Sequence, residues 1–311
     1  MPRLPPSNSM NITLRDAMIA TISYADIFDY PLTEEEVRIW LPYVRKYSRR
    51  SLKKMYSSYH FGRGQFETRK KRAVWSADKW VYARRVAKLL KIIPTIKLIG
   101  ITGGLTRFNA RDADDIDFLI ITAPKTLWVT RGFSTILLDL FRLRRRPSDT
   151  KLRNLICLNM FMGEDGLMVP LKEQDLFTAH EVLLMTPLWE RDGAYRKFLQ
   201  ANRWVRRFLP NAWEEQKMNY ESRIMNYEKR KSRYFYVISF ILHTSYFILQ
   251  LIEPVAQFIQ LRYMNSRRTT EVISDKVIRF HPRDARVWIK RELKERLTRA
   301  NVPLDKIFYG R

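Results

Sequence analysis

Two acids separated by one residue, Asp115 and Asp117, stand at the mouth of the apolar run Phe118 to Ile121 in the segment GITGGLTRFNARDADDIDFLIIT, residues 100–122. Unpaired charge beside a buried element is costly, so something must compensate it. In an extended strand residues two apart point the same way, which puts Asp115 and Asp117 on one face and Ile116 and Phe118 on the other. Two carboxylates side by side make half a site for a hard divalent cation, Mg²⁺ or Mn²⁺, whose remaining positions go to phosphate oxygens and waters. Upstream, Gly103 and Gly104 carry no side chains, so their backbone amides can approach a nucleoside triphosphate. In-line phosphoryl chemistry needs mainly positioning and charge neutralisation, and these four residues are suited to both.

The elements that must position them follow from periodicity. TIKLIGITGG reads as a strand, Leu105 to Asp114 as a loop, DIDFLIIT as a strand, TLWVTRGFSTILLDLFRLRRR as a helix and RNLICLNMFMG as a strand. Together they predict a small mixed sheet with helices on one face. SADKWVYARRVAKLLKIIP before them reads as a helix that Ser76 caps, with Trp80, Ala83, Ala87 and Leu90 on one side.

Ahead of this lie TLRDAMIATISYADIF and PLTEEEVRIWL, two helical segments, the second opened by Thr33 and Glu36 at capping-box spacing. SRRSLKKMYSSY gives a third helix, and HFGRGQFETRKKRAV, with Gly62 and Gly64 between strand-like runs, predicts a hairpin. Three helices and a hairpin make a winged helix, whose third helix and hairpin touch nucleic acid. The charge agrees. Lys plus Arg is 57 against 32 for Asp plus Glu, a formal +25, and between Arg45 and Lys91 the only acids are Glu67 and Asp78. A polyanionic partner is expected, RNA or DNA, with Arg49, Arg50, Lys53 and Lys54 as its contacts.

At Ile101 or Thr102 before Gly103 and Gly104, then Asp115, Ile116, Asp117 and Phe118, the sequence resembles the nucleotidyltransferase superfamily related to DNA polymerase β. Within it the chain looks like a group of bacterial proteins that join an N-terminal winged helix, with a segment like YADIFDYPLT, to such a domain. CLNMF, DLFTAHEV and FHPRD extend the likeness over most of the chain. The resemblance implies an α+β fold: a polymerase-β-like mixed sheet with helices, preceded by a winged-helix module and followed by a helical region. It further implies that Asp115 and Asp117 hold metal, that Gly103 and Gly104 hold the triphosphate, and that a nucleoside monophosphate passes to an acceptor hydroxyl. The expected boundaries are a disordered tail over 1–12, the winged helix over 13–75, the nucleotidyltransferase domain over 76–175 and a helical region over 176–311.

One departure stands out. Catalytic members carry a third carboxylate on a later strand, and NLICLNMFMG has Asn159 there and no acid. Asn cannot take a proton from a hydroxyl. Asp149, Glu164 or Asp165 are the substitutes within reach in sequence. The competing expectation is therefore a non-catalytic domain of the same fold that binds nucleic acid as a regulator. A purely structural alternative pairs the acids with Arg107 and Arg111. Sugar-nucleotide glycosyltransferases place the apolar strand before the acids, whereas here it follows them. Zinc has no support in His60, His180, His243, His281 and the single Cys157, which are scattered.

The rest of the chain sets compartment and packing. One cysteine in an apolar run and a start without a long apolar core point to the cytoplasm. FTAHEVLLMTPLWERDGAYRKFLQANRWVRRFLP reads as helical, with His180 in the core. YFYVISFILHTSYFILQLI, from Tyr234 to Ile252, carries no charge and has basic flanks. It is long enough to span a bilayer, yet His243, Thr244, Ser245 and Gln250 dilute it, which favours a buried bundle helix over membrane association. His281, Pro282 and Asp284 read as a turn and cap before a last basic helix.

Overall fold

The computed structural model describes residues 12–59, 62, 64–228, 235–265, 272–279 and 285–308. The expected tail up to residue 11 and the segment around His281 and Asp284 lie outside them, as do His60 and Phe61.

Three short helices come first: α1 (Leu14–Asp26), α2 (Glu34–Trp40) and α3 (Arg49–Ser57). Each is started by a hydroxyl that accepts an orphan backbone N–H: Thr13 from Asp16, Thr33 from Glu36 and Ser48 from Ser51. Thr33 and Glu36 form the full capping box. Ala17, Met18, Ile22, Val37, Leu41 and Leu52 bury a small shared core.

The expected hairpin is absent, because residues 65–90 form one helix, α4 (Gln65–Leu90). Gly64, at φ +88°, turns the chain into it from the left-handed region that glycine adopts without strain. Polar contacts, not apolar ones, hold its first half down. Gln65 donates to Asp26 at 3.0 Å, and Arg69 pairs with Glu36 at 2.7 Å while stacking over Tyr30. The wing of a winged helix therefore does not form, and the boundary expected between residues 75 and 76 falls inside α4. Ser76, expected as an N-cap, sits in mid-helix.

The second half of α4 lays Trp80, Ala83, Val86, Ala87 and Leu90 on a sheet. Strands β1 (Ile96–Ile101), β2 (Ile116–Thr122), β3 (Ile156–Gly163), β4 (Thr186–Glu190), β5 (Val272–Ile273) and β6 (Val277–Arg279) make a six-stranded mixed sheet in the order β4-β1-β2-β3-β6-β5. Only β2 and β3 run parallel among its pairs. The helix α5 (Leu127–Leu140) connects them, as a parallel crossover requires. The protein is thus α+β with a mixed sheet.

Helices cover both faces of the sheet, not one. Ile99, Ile101, Ile116, Phe118, Ile120 and Phe161 face α4 and α5. Leu98, Leu119, Ile121 and Met162 face the other way, onto α6 (Leu176–Leu184), α7 (Ala194–Ala201) and α8 (Pro210–Glu228). That alternation is the period-2 signature of a strand buried on both sides. The strand β4 interrupts the stretch read as continuously helical; at the sheet edge its Pro187 is tolerated because no inner ladder needs its missing N–H.

Three more helices follow among the described residues, α9 (Phe235–Asn265), α10 (Ala285–Arg299) and the short α11 (Leu304–Phe308). In its described part α9 is not a buried bundle helix. One side packs, largely on α5, where the Glu253 carboxylate accepts the N–H groups of Trp128 and Val129 at 2.8 and 2.9 Å. Those are orphan donors of the α5 start, whose Thr126 supplies no side-chain cap. Among the described residues no helix is long and apolar enough to cross a membrane.

Candidate functional site

The site forms where β1 ends beside the start of β2. The Thr102 N–H donates to the Asp117 carbonyl at 3.1 Å, carrying the antiparallel pairing one step past β1. Gly103 then turns at φ +72°, and a Cβ there would lie 3.1 Å from Asp117 Oδ2. A side chain there would crowd the carboxylate, and the left-handed φ already favours glycine. Gly104 has no such constraint; a Cβ on it would meet the Asn109 carbonyl at an ordinary 3.6 Å. The two glycines open a single 3-10 turn, Gly103–Arg107, closed by the Thr106 hydroxyl donating to the Gly103 carbonyl at 2.7 Å.

Asp115 and Asp117 share a face as their spacing predicts, and Cys157 joins them, with one ligand atom of each inside a mutual distance of 4.8 Å. Burial first and the Asp115 charge second push the Asp117 carboxyl up to about 7. The Cys157 thiol and Arg145 pull it partly back. Arg145 Nη1 donates to Asp115 Oδ2 at 2.7 Å, so the counter-charge comes from the chain after α5 and not from Arg107 or Arg111. An N–H···O bond of 2.9 Å from Arg145 to the Ile156 carbonyl holds that guanidinium's backbone against β3. Burial pushes the Cys157 thiol well above the usual range, and the two carboxylates add to the effect, so it stays protonated.

The parallel register decides which β3 residue reaches the acids. Cys157 lies beside Asp117, and the next pair is Leu119 with Met160, an irregularity that consumes one extra β3 residue. Asn159 falls inside it and is buried, and the β3 residue in register with Asp117 is Cys157. The substitutes proposed from neighbouring loops are engaged elsewhere: Glu164 with Lys197 at 2.6 Å, Asp165 with Lys276 at 3.7 Å, and Asp149 with the Arg146 N–H. Among the described residues no other His, Cys, Asp or Glu cluster could hold a metal. Glu181 on α6 adds negative charge near Asp117; its own carboxyl is raised by burial and eased by Arg107.

Three residues of α4 that periodicity did not single out hold the loop between the glycines and the acids. Arg72 donates to Asn109 at 3.1 Å, Ser76 accepts the Ala110 N–H at 3.0 Å, and Lys79 donates to the Asp112 carbonyl at 3.0 Å. All three are buried. The signal available was their spacing of four and three, which continues the Trp80, Ala83, Ala87 stripe with polar residues.

Beyond the 3-10 turn a cavity of about 260 Å³ opens between α1, α2 and α6. His180 lines it, stacked between Tyr24 (4.0 Å between centroids) and Trp40 (5.3 Å), with its Nδ1 on the Leu176 carbonyl at 2.8 Å. The ring is a packed core residue, as expected. Arg107 also lines the cavity, over the rings of Tyr24 and Phe28.

The donor chemistry defines which ion fits. Asp115 and Asp117 offer hard oxygens on one face, with mutual repulsion that a divalent cation would relieve. Cys157 offers a protonated soft sulfur, which suits neither Mg²⁺ nor a second hard ion. The residues present therefore fit one hard cation on two carboxylates. The expected nucleic-acid contacts Arg49, Arg50, Lys53 and Lys54 all project to solvent from α3, around the single buried Leu52. No protein-family model, curated protein or solved structure matches this chain.

Proposed function

We propose that this protein is a Mg²⁺-dependent nucleotidyltransferase of the polymerase-β-like kind, which moves a nucleoside monophosphate from a nucleoside triphosphate to an acceptor hydroxyl. The observation that carries the reading is the meeting of Asp115, Asp117 and the Gly103 turn at one point, with Gly103 beside Asp117. Asp115 and Asp117 hold the cation, which when bound supplies charge neutralisation on the transferred group. The Gly103–Gly104 turn leaves its amides room beside phosphate oxygens. Arg145 balances one of the two negative charges and stands as a second cation at the edge of the site. The acceptor is a nucleic acid, drawn by the exposed α3 cations.

The test is incubation with each labelled triphosphate, Mg²⁺ and total cellular RNA. Label is expected in the RNA fraction, and Asp115→Asn with Asp117→Asn should abolish both triphosphate binding and labelling. Unchanged behaviour of that double variant would refute the site.

A second reading is favoured by the thiol at Cys157 and by the Arg145–Asp115 pair: a degenerate domain that binds nucleic acid without catalysis. It predicts no label transfer, and salt-sensitive nucleic-acid binding that survives loss of both aspartates. Neutralising Arg49, Arg50, Lys53 and Lys54 should weaken that binding and flatten its salt dependence.

A further inference from the structure

From Ile248 to Ile259 the outward side of α9 is apolar. From Ile248 to Tyr263 large side chains recur every three or four residues, and Leu251, Phe258 and Ile259 are 65%, 68% and 61% exposed. That spacing makes one stripe on one side of a helix. The neighbouring α5 adds Ile136 and Leu140, exposed by 66% and 73%. Isolated exposed apolar residues are ordinary, but a stripe of this extent marks a surface that meets something.

The helix is not free to turn the stripe inward. Glu253 is fixed on the α5 start, and Gln260 donates to the Trp128 carbonyl at 2.7 Å. Tyr246 donates to the Pro94 carbonyl at 2.6 Å. These contacts lie on the opposite side and hold the apolar side outward.

We infer that this face seats on an anionic lipid surface, with α9 lying in the plane of the membrane. Charge selects this occupant. Glu253 is the one acid in the α9 sequence and is consumed by α5, while Asp139 of α5 is paired with Arg144 and Arg146. Arg262 on α9 and Lys125 and Arg142, which flank α5 in sequence, are exposed. In sequence the helix is preceded by Lys229, Arg230, Lys231 and Arg233 and followed by Arg267 and Arg268. An apolar helix face with an exposed cation on it and basic sequence at both helix ends matches anionic headgroups above acyl chains. A second copy of a chain carrying a formal +25 would bring like charge to the same face. The inference does not depend on the nucleotidyl-transfer reading.

Flotation of the full chain with vesicles tests it. Partition onto phosphatidylcholine mixed with phosphatidylglycerol should exceed partition onto pure phosphatidylcholine by at least about tenfold and fall with added salt. Leu251→Glu with Phe258→Glu, both at exposed positions, should cut the anionic partition by at least about tenfold while the thermal melt stays unchanged. No partition onto either vesicle, or undiminished partition of the double variant, overturns the inference. So does a lipid-free dimer in sedimentation velocity that the two substitutions dissolve, which would assign the face to a second copy.

Discussion

The Lys79 ammonium donates to the backbone carbonyl of Asp114 at 2.6 Å, one residue before the first site carboxylate. The same group reaches the Asp112 carbonyl and the Asn154 side chain, so a single buried cation ties α4 to the loop that aims Asp115 and to the chain entering β3. Burial lowers the Lys79 pKa, and the nearby charges of Asp114 and Asp112 offset part of that. Lys79→Met keeps the stem's volume but strands three part-buried acceptors. It should cost about 2–4 kcal/mol in urea unfolding. It should also weaken triphosphate binding measured well below the unfolding transition. A stability loss within a few tenths of a kcal/mol would show that the loop is held by other contacts.

Gly103 and Gly104 are adjacent in sequence but differ in what they demand. Gly103→Ala forces a side chain into the left-handed region and sets its Cβ 3.1 Å from Asp117 Oδ2. About 1–2 kcal/mol of strain is expected, together with a displaced carboxylate and weaker triphosphate binding. Gly104→Ala meets only ordinary contacts, and its stability should change by less than about 0.5 kcal/mol. Equal effects of the two substitutions on stability would remove the special role of Gly103.

Local chemistry made part of this legible in advance. The Thr33–Glu36 capping box and the shared face of Asp115 and Asp117 follow from spacings of three and two residues, within a single element. The first half of α4 was hidden because its inward stripe, Arg72, Ser76 and Lys79, is polar. Hydrophobic periodicity sees such a stripe as surface, and Arg72 and Lys79 belong to the basic run of residues 45–91 although both are internal. Cys157 was missed for another reason. Which residue of β3 stands beside Asp117 depends on a register irregularity, and pairing between strands separated by a crossover leaves no mark in one-dimensional pattern. In α9 the apolar run was visible, but its exposure was not, since packing on one side is a property of the neighbouring α5.

His180 makes stability depend on pH with a definite sign. Burial first, and the Arg107 charge second, lower its pKa from 6.5 to about 3, so the folded protein keeps the ring neutral between Tyr24 and Trp40. The unfolded chain takes up a proton below about pH 6.5, and the folded one does not until about pH 3. This contribution is therefore fully present above pH 6.5 and is lost as pH falls through that window. Between pH 7 and pH 5 it amounts to about 2 kcal/mol. His180→Phe preserves the stack and should flatten the pH dependence by about that amount. An identical slope in the variant would assign the acid sensitivity to other groups.

The thiol beside Asp117 separates the two functional readings by its replacement. Cys157→Asp would set a third carboxylate within reach of Asp115 and Asp117, with Arg145 paired to Asp115 as resident counter-charge. Without a divalent cation the three like charges repel, so the variant should melt earlier than the wild type. Mg²⁺ relieves that repulsion and gains a third hard ligand, so calorimetry should show affinity raised by about tenfold and the melting point restored by the ion. Cys157→Ser controls for loss of the sulfur alone and should bind Mg²⁺ as the wild type does. If the Asp and Ser variants bind the ion equally, the β3 position does not face it. If the Asp variant gains both Mg²⁺ affinity and label transfer over a silent wild type, the present chain is the degenerate form and the thiol is what silenced it.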